Sequence, residues 1–273
     1  MTAPSPARIP YALIKSAHPE PSIAVTALVT VMAVGAGVSA ARCALLAVAV
    51  LTGQLSVGWS NDVFDRQRDR LVGRPDKPVA VGEIDLRAVA AAAAVALMLC
   101  VPLSLLLGVK PGVAHLVAVA SAWSYNLALK STVWSAVPYA VSFGLVPVLV
   151  WWTVPASPPV WAVVAGALLG VGAHGTNVLP DLADDAVTGV RGLPQRLGPT
   201  ATRALTAASL GLAVLILAVA PAGPVGFVGW IALAAAAVLI TIGWRRQQLI
   251  FPTTVGVAGV AVVLLTVRSV GAV

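Results

Sequence analysis

The chain has 273 residues, of which 59% are hydrophobic and 10% charged, with a formal net charge of +7 and a mean hydropathy of +0.95. An ordinary soluble domain carries about 25% charged and 45–50% apolar residues, so a water-soluble globular enzyme is excluded. A disordered chain is excluded by the low charge, and a disulfide scaffold by having only two cysteines, Cys43 and Cys100, both in apolar segments.

The first twenty residues are Pro-rich, mildly basic and without an apolar core, so 1–20 reads as an N-terminal segment and not a signal peptide. A membrane helix needs roughly 20 apolar residues. Nine candidates follow, at 22–40, 43–61, 86–108, 112–129, 133–152, 159–179, 200–219, 224–243 and 250–269. The pattern predicts an all-α, polytopic membrane bundle of about nine transmembrane helices in a single domain. Hydrophilic loops are expected at 66–85 and 184–199. Gly166 to Gly170 is a small-x3-small pattern that suits helix packing.

The basic residues orient the spans. With the N-terminus inside, the inner segments hold Arg8, Lys15, Arg66, Arg68, Arg70, Arg74, Lys77, Arg87, Lys130, Arg191, Arg196, Arg203, Arg245 and Arg246, and the outer ones only Arg42, Lys110 and Arg268. This positive-inside bias predicts a cytoplasmic N-terminus and an outside C-terminus. It also explains the net charge without nucleic acid. The Ala/Val-rich composition suits a bacterial cell membrane.

The ten acids are confined to a few places. Glu20, Glu83 and Asp85 read as solvated loop charges. Asn61, Asp65 and Asp69 are four apart and stack on one helix face, with Asp62 about 100° around. Asn177, Asp181 and Asp185 repeat the pattern, with Asp184 beside them. Like charges at i, i+4 destabilise a helix, so two such ladders point to bound cations. Hard oxygen donors without a His/Cys cluster suit magnesium, which a substrate phosphate often completes. Four aspartates offset two such ions, and a pyrophosphate then needs basic partners. Arg66, Arg68, Arg74, Lys77, Lys130 and Arg191 lie on the same predicted face.

The motifs NDVFDRQRD and GRPDKPVAVGEI, then AWSYNLALKSTVWSAVPYAVSFGLVP, then NVLPDLADDAVTGVRGLPQRLG, resemble in order the motifs of the UbiA superfamily of intramembrane prenyltransferases. The resemblance covers nearly the whole chain. It implies a central, lipid-accessible cavity with the acidic motifs facing each other at its cytoplasmic mouth. There they would hold a prenyl pyrophosphate through two magnesium ions and transfer the prenyl group to a lipophilic, aromatic acceptor through an allylic cation. The metal ligands it implies are Asn61, Asp62, Asp65, Asp69, Asn177, Asp181 and Asp185, with Asp65, Asp69, Asp181, Asp185 and Tyr125 catalytic. Arg66, Arg74, Lys77, Lys130 and Arg191 would grip the substrate.

Two features depart from the family pattern. The Tyr125-to-Lys130 spacing is five where some members have four, and Ala186 stands where many have a basic residue. Trp59, Phe64, Trp123, Tyr125, Trp134, Tyr139 and Phe143 are candidates to stabilise a cation, and equally to sit at membrane interfaces. His174 reads as a bundle-facing histidine or an acceptor contact. His18 and His115 carry no functional signal in sequence. A terpene cyclase, in which an internal alkene captures the cation, and a non-enzymatic transporter or lipid-binding protein are the alternative readings. Acceptor, donor length and oligomeric state stay open.

Overall fold

The computed structural model describes residues 9–269. Residues 1–8 of the expected N-terminal segment and 270–273 at the C-terminus lie outside the described residues. No strand occurs among those described. The helices are α1 (Ile9–Ser16), α2 (Pro19–Gly35), α3 (Ala40–Leu71), α4 (Pro78–Val81), α5 (Leu86–Leu106), α6 (Val109–Leu127), α7 (Val137–Thr153), α8 (Val160–Val178), α9 (Leu182–Thr188), α10 (Leu193–Val219), α11 (Gly226–Arg245) and α12 (Ile250–Ser269).

Each of the nine predicted spans falls on a long helix. Six helices are long and apolar enough to cross a membrane by themselves. The pair α1–α2, bent by 59° at His18, makes a seventh, and α7 is a shorter apolar helix of 17 residues. Nine is therefore an approximate span count. Apolar side chains such as Leu106, Val160, Phe227 and Trp230 are exposed, the pattern of a surface solvated by lipid.

Two predicted loops are largely helical. α3 runs to Leu71, so Asp62, Asp65 and Asp69 stand on a helix and the connection shrinks to 72–85, with α4 inside it. Residues 184–188 belong to α9 and 193–199 to α10, leaving 189–192 between them. Hydropathy misses these extensions because it scores each charge alone, whereas here they pair both along α3, as Arg68 with Asp65, and across space, as Arg68 with Asp185. Asp85 is not merely a loop charge: its carboxylate accepts the Arg87 N–H at 2.7 Å and caps the start of α5. α8 tightens into a 3-10 turn at Leu179–Asp181, where Pro180 has no N–H to continue the ladder. Gly198, at φ 79°, kinks α10 ahead of Pro199.

α2, α3, α6, α7, α8, α10 and α12 pack in a closed ring, with α5 outside against α3 and α6, and α11 outside against α10 and α12. Lipid tails are as apolar as leucine, so the helices associate through close van der Waals packing. Gly166 and Gly170 provide it for α7 and α8: a Cβ at either would collide with the carbonyls of Phe143 or Tyr139. Gly58 likewise admits the Ala17 carbonyl and seats the α1–α2 bend against α3. The ends of α3, α6 and α8 and the starts of α2, α7, α10 and α12 meet at one end of the ring, and the acids are there.

Candidate active site

The last three turns of α3 present Asn61, Asp65 and Asp69 on one face. Asp65 and Asp69 are each 2% exposed. Arg68 holds this row together from within. Its Nη2 donates to Asp65 at 2.9 Å, its Nε lies 3.7 Å from Asp69, and its Nη1 reaches Asp185 on α9 at 3.3 Å. One guanidinium thus touches carboxylates of both acidic motifs, and its partner Asp185 is 117 residues further along the chain. Asp65 is also paired with Lys130 on the 3-10 turn after α6. Burial pushes the Lys130 ammonium down to about 8, against the opposing pull of Asp185.

Asn61 donates to Asp65 at 3.1 Å and to Asn126 at 3.2 Å. Asn126 in turn donates to the Val57 carbonyl and the Ser60 hydroxyl, fixing the Asn61 amide. Across the mouth, Gln195 of α10 donates to Asp185 at 2.7 Å. Asp181 accepts from Arg74 at 2.8 Å, and Arg74 also clamps Asp76. The hydrogen bond to Asp76, with the charge of Asp181, raises the Arg74 guanidinium above its ordinary value, and the same clamp lowers Asp76 to about 2. Among the described residues, no three His, Cys, Asp or Glu side chains converge as a closed metal cage.

Asp62 does not join the row. One residue after Asn61 on a helix means about 100° of rotation. Its carboxylate turns to the α1–α2 bend, where it accepts from Lys77 at 2.7 Å and contacts His18 Nε2 at 2.9 Å. Lys77 Nζ also lies 2.9 Å from His18 Nε2. His18 sits at φ 51°, a left-handed conformation that a non-glycine residue adopts only when its surroundings impose it. Lys77 therefore ties the loop to α3 through Asp62, its direct carboxylate partner.

Arg66 and Arg191 make no salt bridge among the described residues, and the Arg66 Nε is buried without a partner. Arg66 follows Asp65 by one residue and points to another side of α3. Neither guanidinium is paired with a described carboxylate, and Arg191 is exposed on the turn after buried Val190. Gln195, Asn126 and His18 were not among the expected site residues, and Arg68 was expected only as one of several basic partners on this face, not as the link between the two motifs. Gln195 and Asn126 carry no local signal, since their partners are remote in sequence.

Behind the acids lies an open cavity of about 240 Å³ lined by the ring helices, with Asn61, Tyr125, Asn177 and His18 among its lining residues. Tyr125, Tyr139 and His174 form an aromatic group with centroids 5.0–5.6 Å apart, and Phe143 stacks on Tyr139 at 6.4 Å. Tyr125, Tyr139 and Phe143 line the cavity. Trp59, Phe64, Trp123 and Trp134 do not. His174 is buried, with Nε2 3.0 Å from the Ser135 hydroxyl, as a bundle-facing histidine.

Residues 22–265 match the model of the UbiA prenyltransferase family. The chain belongs to this family. As a UbiA member with several long apolar helices, it is an integral, multi-pass membrane protein. Its fold is that of solved UbiA homologues. A UbiA homologue from Archaeoglobus fulgidus bound to GPP and Mg2+ is 16% identical, with TM-score 0.73 over 93% of this chain and 99% of that one. The same homologue bound to DMAPP and Mg2+ gives 0.72 at 16% identity over the same shares. The apo homologue from Aeropyrum pernix K1 gives 0.66 at 19% identity, over 97% of this chain and 98% of that one. A sequence search among curated proteins gives no match.

Proposed function

We propose that this UbiA member is a magnesium-dependent prenyltransferase that moves a prenyl group from an isoprenoid pyrophosphate to a lipophilic, aromatic acceptor. The observation that carries this reading is the junction of the two acidic motifs. Arg68 reaches Asp65, Asp69 and Asp185 at once, so a cationic centre between α3 and α9 lies within reach of both motifs. The donors are hard oxygens, the set magnesium prefers. The open arrangement suits an ion that keeps waters and is completed by substrate phosphate. Asn61, Asp65, Asp69, Asn177, Asp181 and Asp185 would hold the metal, and their four carboxylates match the charge of two ions. The homologue structures with GPP or DMAPP and Mg2+ support the same donor class.

When bound, magnesium supplies electrostatic stabilisation of the departing pyrophosphate. The chain's own residues do the rest. Arg68, Lys130 and Arg74 present positive charge around the carboxylates, where pyrophosphate oxygens would arrive, and arginine's planar fork fits them. The cavity keeps water from the allylic cation formed when the C–O bond breaks. The faces of Tyr125, Tyr139 and Phe143 line the path of that cation, and each aromatic face contributes about 0.5–2 kcal/mol. The orientation that the basic residues favour puts the mouth on the cytoplasmic side.

Purified protein in nanodiscs, with magnesium and prenyl pyrophosphates of increasing length, tests the reading by pyrophosphate release and lipid product. The expected result is release that requires both magnesium and an aromatic acceptor, falling at least 100-fold in Asp65→Ala and Asp181→Ala, the scale on which electrostatic transition-state groups act. A hydrocarbon product without acceptor would replace the transferase with a cyclase. No release with any donor, from folded protein, would overturn an enzymatic role.

A further inference from the structure

The cavity has an inner branch whose wall carries two polar groups that the chemistry at the mouth does not use. This narrow branch lies between α2, α3, α6 and α7, shares Gln54, Val57, Ala122 and Ser142 with the main cavity, and is otherwise almost wholly apolar. Its polar side chains are Gln54 of α3, His115 of α6 and Ser142 of α7, whose hydroxyl is already donated to the Ala118 carbonyl at 2.8 Å. Gly53 makes room for the imidazole: a Cβ there would lie 3.2 Å from His115 Nε2.

The hydrogen bonds around Ser104 assign a tautomer to His115. Ser104 Oγ donates its only hydrogen to the Cys100 carbonyl at 2.6 Å. Toward His115 Nδ1, 2.8 Å away, Ser104 can therefore only accept. Nδ1 carries the proton, and Nε2 is left as a bare acceptor. His115 is 5% exposed, and among the described residues Nε2 has no protein partner. The Gln54 amide likewise makes no hydrogen bond to a described residue and lines both spaces. Both groups line the apolar branch with hydrogen-bonding capacity unused by described residues, and ligand pockets of this kind use a few such groups to orient what they bind.

We infer that His115 Nε2 and Gln54 form a recognition subsite for a hydroxyl group on the lipophilic acceptor. The inference rests on the transferase reading. The hydroxyl donates to Nε2, and the Gln54 amide donates to its oxygen. A separate branch along Leu28, Met32, Ala162 and Leu265 offers only apolar lining and leaves the donor tail its own path. His115 and Tyr125 are ten residues apart on α6, about 15 Å along the axis. The acceptor that bridges this subsite and the reacting end is therefore elongated, larger than a single ring.

The test uses two probes of the same shape, 2-naphthol and 2-methylnaphthalene, in radiolabelled form. Equilibrium binding to the full chain in nanodiscs is measured with empty nanodiscs subtracted, for wild type, His115→Leu and Gln54→Met. Gln54 has no hydrogen-bond partner among the described residues, so its substitution removes no internal hydrogen bond there and guards against a misfolded His115 variant. The expected result is a wild-type preference for the naphthol of about tenfold, the scale of one net hydrogen bond, reduced several-fold in both variants. No preference in wild type, as when an ordered water alone fills the subsite, overturns the inference. So does a preference that survives both substitutions. The probes need neither magnesium nor turnover, so this outcome is independent of whether pyrophosphate is released.

Discussion

Arg68 stands where the two acidic motifs meet, and its position makes it both a strut and a stand-in for a bound cation. It joins Asp65 to Asp185, so its removal leaves facing carboxylates with less positive charge between them. Arg68→Ala is expected to lower stability in metal-free buffer by about 1.5–3 kcal/mol, the range for a hydrogen bond to a charged group. Added magnesium should recover most of that loss and raise the variant's Tm more than the wild type's. Thermal unfolding with and without magnesium reads this directly. An equal magnesium response in both proteins would show that no ion competes for these carboxylates. The sequence exposed the two Asn-x3-Asp-x3-Asp rows because helical spacing is local. It did not expose the choice of Arg68 over Arg66, which depends on what lies across the mouth. Nor did it expose His18, whose partners Asp62 and Lys77 are 44 and 59 residues away.

At the scale of elements, the Asp62–Lys77 pair fastens the loop after α3 to the helix itself. Both groups are buried, so removing one partner strands the other. Lys77→Met is expected to destabilise by about 3–5 kcal/mol. The double variant with Asp62→Leu should be more stable than Lys77→Met alone, because no unpaired charge remains. Thermal unfolding in one detergent compares the three proteins, and a double variant weaker than the single would refute the pairing. The α7–α8 contact makes a second prediction. Gly170→Leu drives a side chain into the Tyr139 carbonyl and forces apart the helices that carry the aromatic group. A clear drop in Tm and loss of cavity-bound ligand are expected, whereas Gly211→Ala on α10, with ample space beside it, should leave both within experimental scatter. The existence of every long helix was legible, because apolar runs of about 20 residues leave few alternatives. Their ends were not: α3 overshoots by ten residues because Arg68, Lys130 and Asn61 neutralise or fix acids that hydropathy treats as loop.

Over the whole molecule, seven helices form a ring around the cavity and two stay outside it, so chemistry is confined to one mouth and lipid contact to the rim. Composition revealed the membrane bundle but not this division, since α5 and α11 are as apolar as the ring helices and differ only in what they face. The site follows from placing the ends of α3 and α8–α9 side by side. The most direct measurement is calorimetric binding of a non-hydrolysable prenyl thiodiphosphate to the full chain, with and without magnesium, for wild type, Asp65→Ala, Asp181→Ala and the double variant. If the two motifs form one site, wild type binds only with magnesium, each single variant loses most of the affinity, and the double variant loses far less than the sum, the coupling expected of groups that act as a unit. Magnesium-independent binding, or losses that simply add, would contradict a shared site.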